Sequence, residues 1–332
     1  MQNGGKSCCR FDGGLDLTYI FLMNYRIIAG IAVLAMHCSG PSQTRPDSLH
    51  PAAQNPSPMV ESTREHRRIQ DEHLAGLRFT IPSLLPKPVE VFVPQKYQPS
   101  DSFCLLIHFL GPAYIVENAS QEFPAPIVAA TISLGAGSSI FDRPFRDTSL
   151  FAVLVDSIQQ RCREQLGHPC VFQRIYLSGF SAGYGAIRRI ISTPENYRRV
   201  DGILLLDGIH ASYVPEGRAL ADGGTIDSTH IHAFLDFAAE AAKPDSKKQF
   251  LITHSEIFPG TFVSTTEATD AILRTLGMRR KAVLMWGPLG MQQTSEAGSG
   301  RFLVLGFAGN SAQDHVDHLH ALGEFLRKME KL

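Results

Sequence analysis

The sequence predicts an α/β fold, with a mostly parallel central sheet and helices on both of its faces. Short apolar runs rich in β-branched residues alternate with longer stretches of helical period, which is the pattern of repeated βα units. The 332 residues are 44% hydrophobic, which is enough to bury a large core. The 31 basic and 32 acidic residues nearly cancel, so we expect neither nucleic acid nor an acidic membrane surface as a partner.

Residues 1–38 predict an export signal or a membrane anchor. Arg26 precedes a ten-residue apolar run at 27–36, which is the arrangement of an export signal and is too short to span a bilayer alone. Cys38 follows the run, as the lipid-bearing Cys of a bacterial lipoprotein does, although His37 stands where a small residue is expected. We therefore expect an exported protein that is periplasmic, secreted or tethered to a membrane.

Residues 39–64 are rich in Pro and Ser and poor in apolar residues, which predicts a flexible linker. The folded domain is expected at 65–332. Within it, Cys162 and Cys170 flank the connection between a predicted helix and a predicted strand. A disulfide and two unpaired thiols are both consistent with that placement.

The predicted elements of the domain follow one another in βα order. Strands are expected at 89–94, 103–111, 126–135, 172–180, 200–208, 248–256, 281–287 and 301–309. Helices are expected at 149–167, directly after the strand at 172–180, and at 314–330. Residues 210–247 show no strand pattern, and we expect them to form a small cap over the sheet edge, helical in its second half.

Ser181 lies in the stretch IYLSGFSAGYGAIRRII, within a G-x-S-x-G pentapeptide between a predicted strand and a predicted helix. A turn this tight strains the residue at its tip, and Gly179 and Gly183 leave room for it. The N–H groups at the start of the following helix favour negative charge beside Ser181. The pentapeptide alone is a weak signal, but its position makes Ser181 the candidate nucleophile.

On these features the chain resembles the α/β-hydrolases, and is similar to bacterial esterase-type members, over about residues 89–332. The resemblance rests on GFSAG, on the strand order around it and on a Ser, acid, His order along the chain. It implies an oxyanion hole made by two backbone N–H groups. One would come from Ala182 and the other from HFLG, where Phe109 and Leu110 are the candidates. Phe109 stands where the family usually has Gly.

The same resemblance places the catalytic base after the last strand, where DHVDHLH supplies three histidines. His315 is favoured because it comes first after the loop, and His318 is the alternative. His320 is expected on another, solvated face. These imidazoles with Asp314 and Asp317 have a metal-binding interpretation too, but no HExxH motif supports it, so we expect no metal and no cofactor.

Two carboxylates compete for the role of the acid that orients the base. Asp207 ends the apolar run of the strand predicted at 200–208, where some lipase-like members keep their acid, and Gly208 lets the chain turn away. Glu256 ends the next strand, where most of the fold keeps an Asp. We prefer Asp207 and keep Glu256 as the alternative. Three further histidines at strand ends are expected to be hydrogen-bonded structural residues: His108, His210 and His254.

Together these residues predict a serine hydrolase that cleaves carboxylic esters through an acyl-enzyme, with a small-molecule ester as its partner. Two alternatives stay open: a compact serine peptidase or amidase with the same triad, and a catalytically inactive binding protein of the cell envelope with this fold. The sequence does not set the acyl group, the alcohol group or the oligomeric state.

Overall fold

The computed structural model describes residues 68–332. The predicted export signal, the predicted linker and the domain boundary at 65 lie outside the described residues. No helix within 68–332 is long and apolar enough to cross a membrane.

A ten-stranded sheet forms the centre of the described part of the chain, and a two-stranded ribbon lies apart from it. The sheet strands are β1 (Gly76–Ile81), β2 (Val89–Pro94), β3 (Ser102–Phe109), β4 (Ile127–Ile132), β5 (Val171–Phe180), β6 (Gly202–Leu206), β9 (Gln249–His254), β10 (Lys281–Trp286), β11 (Gln292–Ser299) and β12 (Phe302–Phe307). The ribbon pairs β7 (Tyr213–Val214) with β8 (Thr225–Ile226).

The spatial order of the sheet is β1-β2-β4-β3-β5-β6-β9-β12-β11-β10. The six central strands, β4, β3, β5, β6, β9 and β12, are parallel to one another. At each end of the sheet, the last two strands pair antiparallel with their neighbours. Every residue of β4, β6 and β9 is buried, as continuous apolar runs in a parallel sheet require. The predicted mostly parallel sheet is confirmed.

Helices cover both faces of this sheet. They are α1 (Ala113–Glu122), α2 (Ser138–Asp142), α3 (Leu150–Leu166), α4 (Tyr184–Ile191), α5 (Pro194–Arg199), α6 (His232–Ala241), α7 (Thr265–Thr275), α8 (Ala312–His320) and α9 (Leu322–Glu330). Successive residues of a strand face opposite sides, and along β3 Leu105 and Leu106 belong to two different apolar cores. α3, α4, α6 and α7 contribute to the first core, and α1 and α9 to the second.

Each predicted strand is present, but four strands had no expected counterpart: β1, β7, β8 and β11. The single helix expected at 314–330 is interrupted at Ala321. Residues 210–247 were expected to contain no strand, but they contain the ribbon of β7 and β8. Their helix, α6, packs on the face of the sheet, with the rings of Phe234 and Phe237 against Phe250 of β9, and does not cap the edge.

Cys162, in α3, and Cys170, just before β5, are buried free thiols, which is the second of the two sequence interpretations.

Candidate active site

Ser181 occupies the tip of a sharp turn between β5 and α4. β5 ends at Phe180, and a single 3₁₀ turn, Ser181–Gly183, leads directly into α4. The φ angle of Ser181 is +47°, a left-handed conformation that non-glycine residues rarely adopt. This is the backbone strain that the G-x-S-x-G pattern predicts.

Two glycines allow the turn to pack against neighbouring backbone. A Cβ at Gly183 would lie 2.2 Å from the carbonyl oxygen of Phe109, and a Cβ at Gly208 would lie 2.3 Å from that of Ser181. Both distances are far below van der Waals contact, so only glycine fits at either position. The turn is therefore held between the end of β3 and the residue that follows Asp207.

Asp207 and His315 meet beside this turn. Asp207 is the first residue after β6, and His315 lies in the first half of α8. The His315 Nδ1 is 2.7 Å from the Asp207 Oδ2. The imidazole ring packs on Phe180, the neighbour of Ser181, with 4.5 Å between ring centroids. With Nδ1 on the carboxylate, Nε2 is the ring nitrogen left to accept the proton of a serine hydroxyl.

The carboxylate of Asp207 is buried and accepts hydrogen bonds at both oxygens. Ser255 donates its N–H to Oδ1 at 3.0 Å and its hydroxyl to Oδ2 at 2.6 Å. Burial alone would raise the pKa of Asp207. The hydrogen bonds from His315 and Ser255 and the neighbouring His318 outweigh burial and hold the pKa well below its usual range. Asp207 is therefore an anion that can orient and stabilise an imidazolium.

Glu256, the alternative acid, lies on the adjacent strand end but joins a different loop. Its Oε2 accepts from the Gly309 N–H at 3.1 Å, and its own N–H donates to the Gly309 carbonyl at 2.8 Å. These bonds connect the segment after β9 to the loop after β12. The structure places the carboxylate of Asp207 against His315, which supports the preferred assignment of the acid.

The other two histidines of α8 have hydrogen-bond partners elsewhere. The His318 Nδ1 is 2.8 Å from the Thr253 hydroxyl, and its ring stacks on Phe325. The His320 Nδ1 accepts from the Ile69 N–H at 3.1 Å, and only 8% of His320 is exposed. The expectation that His320 is solvated is wrong, because the chain segment before β1 covers that face of α8.

The two carboxylates of the metal-binding interpretation, Asp314 and Asp317, contact other protein groups. Asp314 caps the start of α8 by accepting from the Ser311 N–H at 2.7 Å. Asp317 forms an ion pair with Arg68 at 3.0 Å. Among residues 68–332, no group of three or more His, Cys, Asp or Glu side chains is arranged to hold a metal ion.

The oxyanion-hole candidates differ in their hydrogen bonding. The Leu110 N–H donates to the Ile132 carbonyl at 3.0 Å, and Phe109 is paired with strands on both sides, with Ile132 of β4 and Gly179 of β5. Ala182 lies in the first turn of a helix, where a backbone N–H has no intrahelical acceptor. Phe109 is the last residue of β3 and packs on this turn. The roles of Ala182, Phe109 and Leu110 stay predictions.

The three remaining strand-end histidines are hydrogen-bonded, as expected. His108 lies 3.1 Å from the Ser178 hydroxyl and 3.0 Å from the Leu110 carbonyl, which anchors the β3–α1 loop. The His210 Nδ1 lies 3.0 Å from the Val263 carbonyl. His254 belongs to a network described below.

These observations identify the architecture. A nucleophile elbow after a central strand, with an acid and a histidine contributed later in the chain from the same sheet, is the arrangement of the α/β-hydrolases. The chain has the α/β-hydrolase fold. The sequence predicts Ser181, Asp207 and His315 as the candidate nucleophile, acid and base, and it gives no signal for Ser255, because a serine after a strand carries no distinguishing pattern.

No family model and no curated protein matches the sequence. Solved structures that are similar in fold include Est1E from Butyrivibrio proteoclasticus, with 10% identity and a TM-score of 0.42 over 78% of this chain and 100% of the other. An S-formylglutathione hydrolase from Agrobacterium tumefaciens has 11% identity and a TM-score of 0.46 over 79% and 98%. Carboxyl esterase 2 from Tuber melanosporum has 12% identity and a TM-score of 0.41 over 82% and 92%.

Proposed function

We propose that this α/β-hydrolase is a serine hydrolase that cleaves carboxylic esters through an acyl-enzyme. The observation that carries the proposal is the 2.7 Å contact between His315 Nδ1 and Asp207 Oδ2 beside the strained turn at Ser181. A buried, ionised acid, an imidazole held by one nitrogen and a serine at an elbow are the three parts of a catalytic triad.

In the proposed first half-reaction, the Ser181 Oγ attacks the ester carbonyl carbon while its proton passes to the His315 Nε2. The negative charge moves to the carbonyl oxygen, where the N–H groups of Ala182 and of either Phe109 or Leu110 are the proposed donors. The C–O bond to the alcohol then breaks, and the alcohol leaves with the proton from His315. The product is an ester between Ser181 and the acyl group.

In the second half-reaction a water molecule attacks the acyl carbonyl. His315 accepts the proton of this water and later returns it to the Ser181 oxygen as the carboxylic acid departs. Asp207 stays ionised throughout and stabilises the imidazolium that forms twice in each cycle. The imidazole and the hydroxyl are thus regenerated, and the net reaction consumes one water molecule.

Replacing Ser181 tests the proposal directly. We expect Ser181→Ala to lower kcat for p-nitrophenyl acetate by at least about 10³-fold while the thermal unfolding midpoint stays near that of the wild type. Ser192→Ala, which removes an exposed serine hydroxyl at the end of the same helix, is the matched control. Retention of wild-type turnover by Ser181→Ala would overturn the proposal. Ester and amide substrates with one common acyl group then separate an esterase from an amidase.

A further inference from the structure

Ser255 contacts the carboxylate of Asp207 through two donors. Its N–H reaches Oδ1 at 3.0 Å and its hydroxyl reaches Oδ2 at 2.6 Å, the same oxygen that His315 contacts. Ser255 is only 2% exposed, so water does not compete for these bonds. A planar carboxylate held at both oxygens has its plane fixed, and this plane sets the direction in which Oδ2 faces the imidazole.

Strand β6 does not by itself fix the position of Asp207, because Asp207 lies beyond the end of the strand. It is a single residue beyond the end of β6, in the left-handed region at φ +45°. Ser255 is likewise the first residue after β9, the strand next to β6 in the sheet. The Asp207 N–H donates to the Thr253 carbonyl at 2.9 Å, which ties the two strand ends together. The geometry of the acid is therefore set by the neighbouring strand.

The carbonyl of Ser255 is held in turn by two side chains. The His254 Nδ1 lies 3.0 Å from the Ser255 oxygen, and the Thr266 hydroxyl donates to the same oxygen at 3.1 Å. The His254 Nε2 is 2.8 Å from the Nη1 of Arg280. Because a guanidinium can only donate, Nε2 is an acceptor and the proton of the neutral ring is on Nδ1. That tautomer is the one that donates to the Ser255 carbonyl.

Arg280 is fixed in this position by further contacts. Its Nε donates to Asp270 at 2.6 Å and its Nη2 donates to the Thr269 hydroxyl at 2.7 Å. Gly306 of β12 makes room for the cluster, since a Cβ there would lie 2.9 Å from His254. A continuous set of hydrogen bonds thus runs from Arg280 through His254 and Ser255 to Asp207.

We propose that Ser255 is a positioning residue for the catalytic acid, and that Arg280, acting through His254, keeps Ser255 in place. The proposal rests on the triad function proposed above. Ser255 and Arg280 do not touch substrate in this account. Their effect is therefore on the rate of the chemical step and not on substrate binding.

The first variant is Ser255→Ala, assayed with p-nitrophenyl acetate. A hydrogen bond to a charged group is strong enough that we expect kcat to fall by about 10- to 100-fold, with KM within about twofold of wild type. Ser246→Ala is the matched control, because Ser246 is a buried serine at the opposite end of β9 whose hydroxyl accepts from the Lys248 N–H at 3.1 Å. We expect it to leave kcat unchanged.

A spectroscopic readout separates positioning from general destabilisation. In the proton NMR spectrum, the His315 Nδ1–H that donates to Asp207 is expected to give a low-field resonance, identified by its loss in His315→Gln. Ser255→Ala should move or broaden this resonance, and Ser246→Ala should not. A merely structural loss in Ser255→Ala would lower the thermal midpoint without moving the resonance.

The second variant is Arg280→Gln, for which we expect kcat to fall by about tenfold at unchanged KM because the acid is displaced. Arg279→Gln removes the exposed neighbouring arginine and is expected to match the wild type.

If Ser255→Ala does not fold, the kinetics of Arg280→Gln alone test the positioning inference. Wild-type kcat in Ser255→Ala and Arg280→Gln, with Ser181→Ala inactive, would overturn the positioning inference and leave the proposed function standing. Activity in Ser181→Ala would instead overturn the proposed function.

Discussion

At the scale of single residues, the choice between Asp207 and Glu256 shows what a sequence can and cannot decide. Both carboxylates follow buried strands, and β6 and β9 are neighbours, so both lie at the same edge of the sheet. This position could be predicted from the sequence, because each carboxylate ends a predicted strand. Only the side-chain direction separates them: Asp207 faces His315, and Glu256 faces the backbone of Gly309. That direction depends on the turn after each strand, which no local pattern specifies.

The two acids give opposite predictions on substitution. Asp207→Asn should lower kcat by about 10⁴-fold, because the amide favours the wrong tautomer of His315 and cannot stabilise its charged form. Glu256→Gln should retain kcat within a few-fold, since its contact is with a loop N–H. Steady-state kinetics on both variants, with thermal unfolding as the control for folding, checks this. The reverse pattern would assign the acid to Glu256.

The loop after β3, which is predicted to contribute to the oxyanion hole, shows a second feature that the sequence alone does not determine. HFLG identified the loop after β3, but which N–H is available depends on the adjacent strand. The Leu110 N–H is used by the Ile132 carbonyl of β4, a pairing that involves residues more than twenty positions apart. A single sequence contains no signal for that register.

At the scale of secondary-structure elements, long apolar runs were predictable and polar edge elements were not. β3, β6, β9 and the second half of β5 are buried, and their apolar runs predict them directly. β11, with the sequence QQTSEAGS, lies near the sheet edge and has no apolar alternation. It is a strand because β10 and β12 pair with its backbone, which is a tertiary effect. The break between α8 and α9 likewise has no Pro, and the nearby Gly323 lies inside α9 rather than at the break.

The start of α8 positions the base. The Ser311 hydroxyl accepts from the Asp314 N–H at 3.3 Å, and the Asp314 carboxylate accepts from the Ser311 N–H at 2.7 Å, which is a reciprocal capping box. His315 follows Asp314 directly. The geometry of the base therefore depends on an N-terminal cap that lies four residues earlier in the chain.

Ser311→Ala is expected to lower the free energy of unfolding by about 1 kcal/mol and to lower kcat by about tenfold, because fraying of the first turn displaces His315. Urea unfolding and steady-state kinetics measure the two effects. Asp227→Ala is the control, since the Asp227 side chain caps the short turn at Ser228–His230. An unchanged kcat in Ser311→Ala would show that the cap does not position the base.

At the scale of the whole molecule, two buried neutral imidazoles make stability depend on pH. Burial lowers the pKa of His108 to about 4. Burial and the Arg280 guanidinium lower the pKa of His254 to about 4. In the unfolded chain both imidazoles have an ordinary pKa near 6.5. The unfolded state therefore binds more protons between these two values, and stability is lost as the pH falls.

The free energy of unfolding should be highest above about pH 6.5. It should fall by up to about 1.4 kcal/mol per pH unit for each imidazole as the pH approaches 4. Asp207, whose pKa lies below its usual range, adds a further loss below about pH 4. Urea unfolding at pH 7.0, 5.5 and 4.5 measures the slope. His108→Gln should reduce it, and His232→Gln, at a 72% exposed side chain, should not. A free energy that does not change across this range would contradict neutral burial of the two rings.

The proposed function depends on Ser181 being a nucleophile activated by His315 and Asp207. Its most direct test is the reaction of the full chain with a fluorophosphonate, followed by mass spectrometry of the proteolytic peptides. We expect one adduct, on Ser181, that is absent in Ser181→Ala and forms far more slowly in Asp207→Asn. A folded wild-type protein that stays unlabelled, or that carries the adduct on another residue, would contradict it.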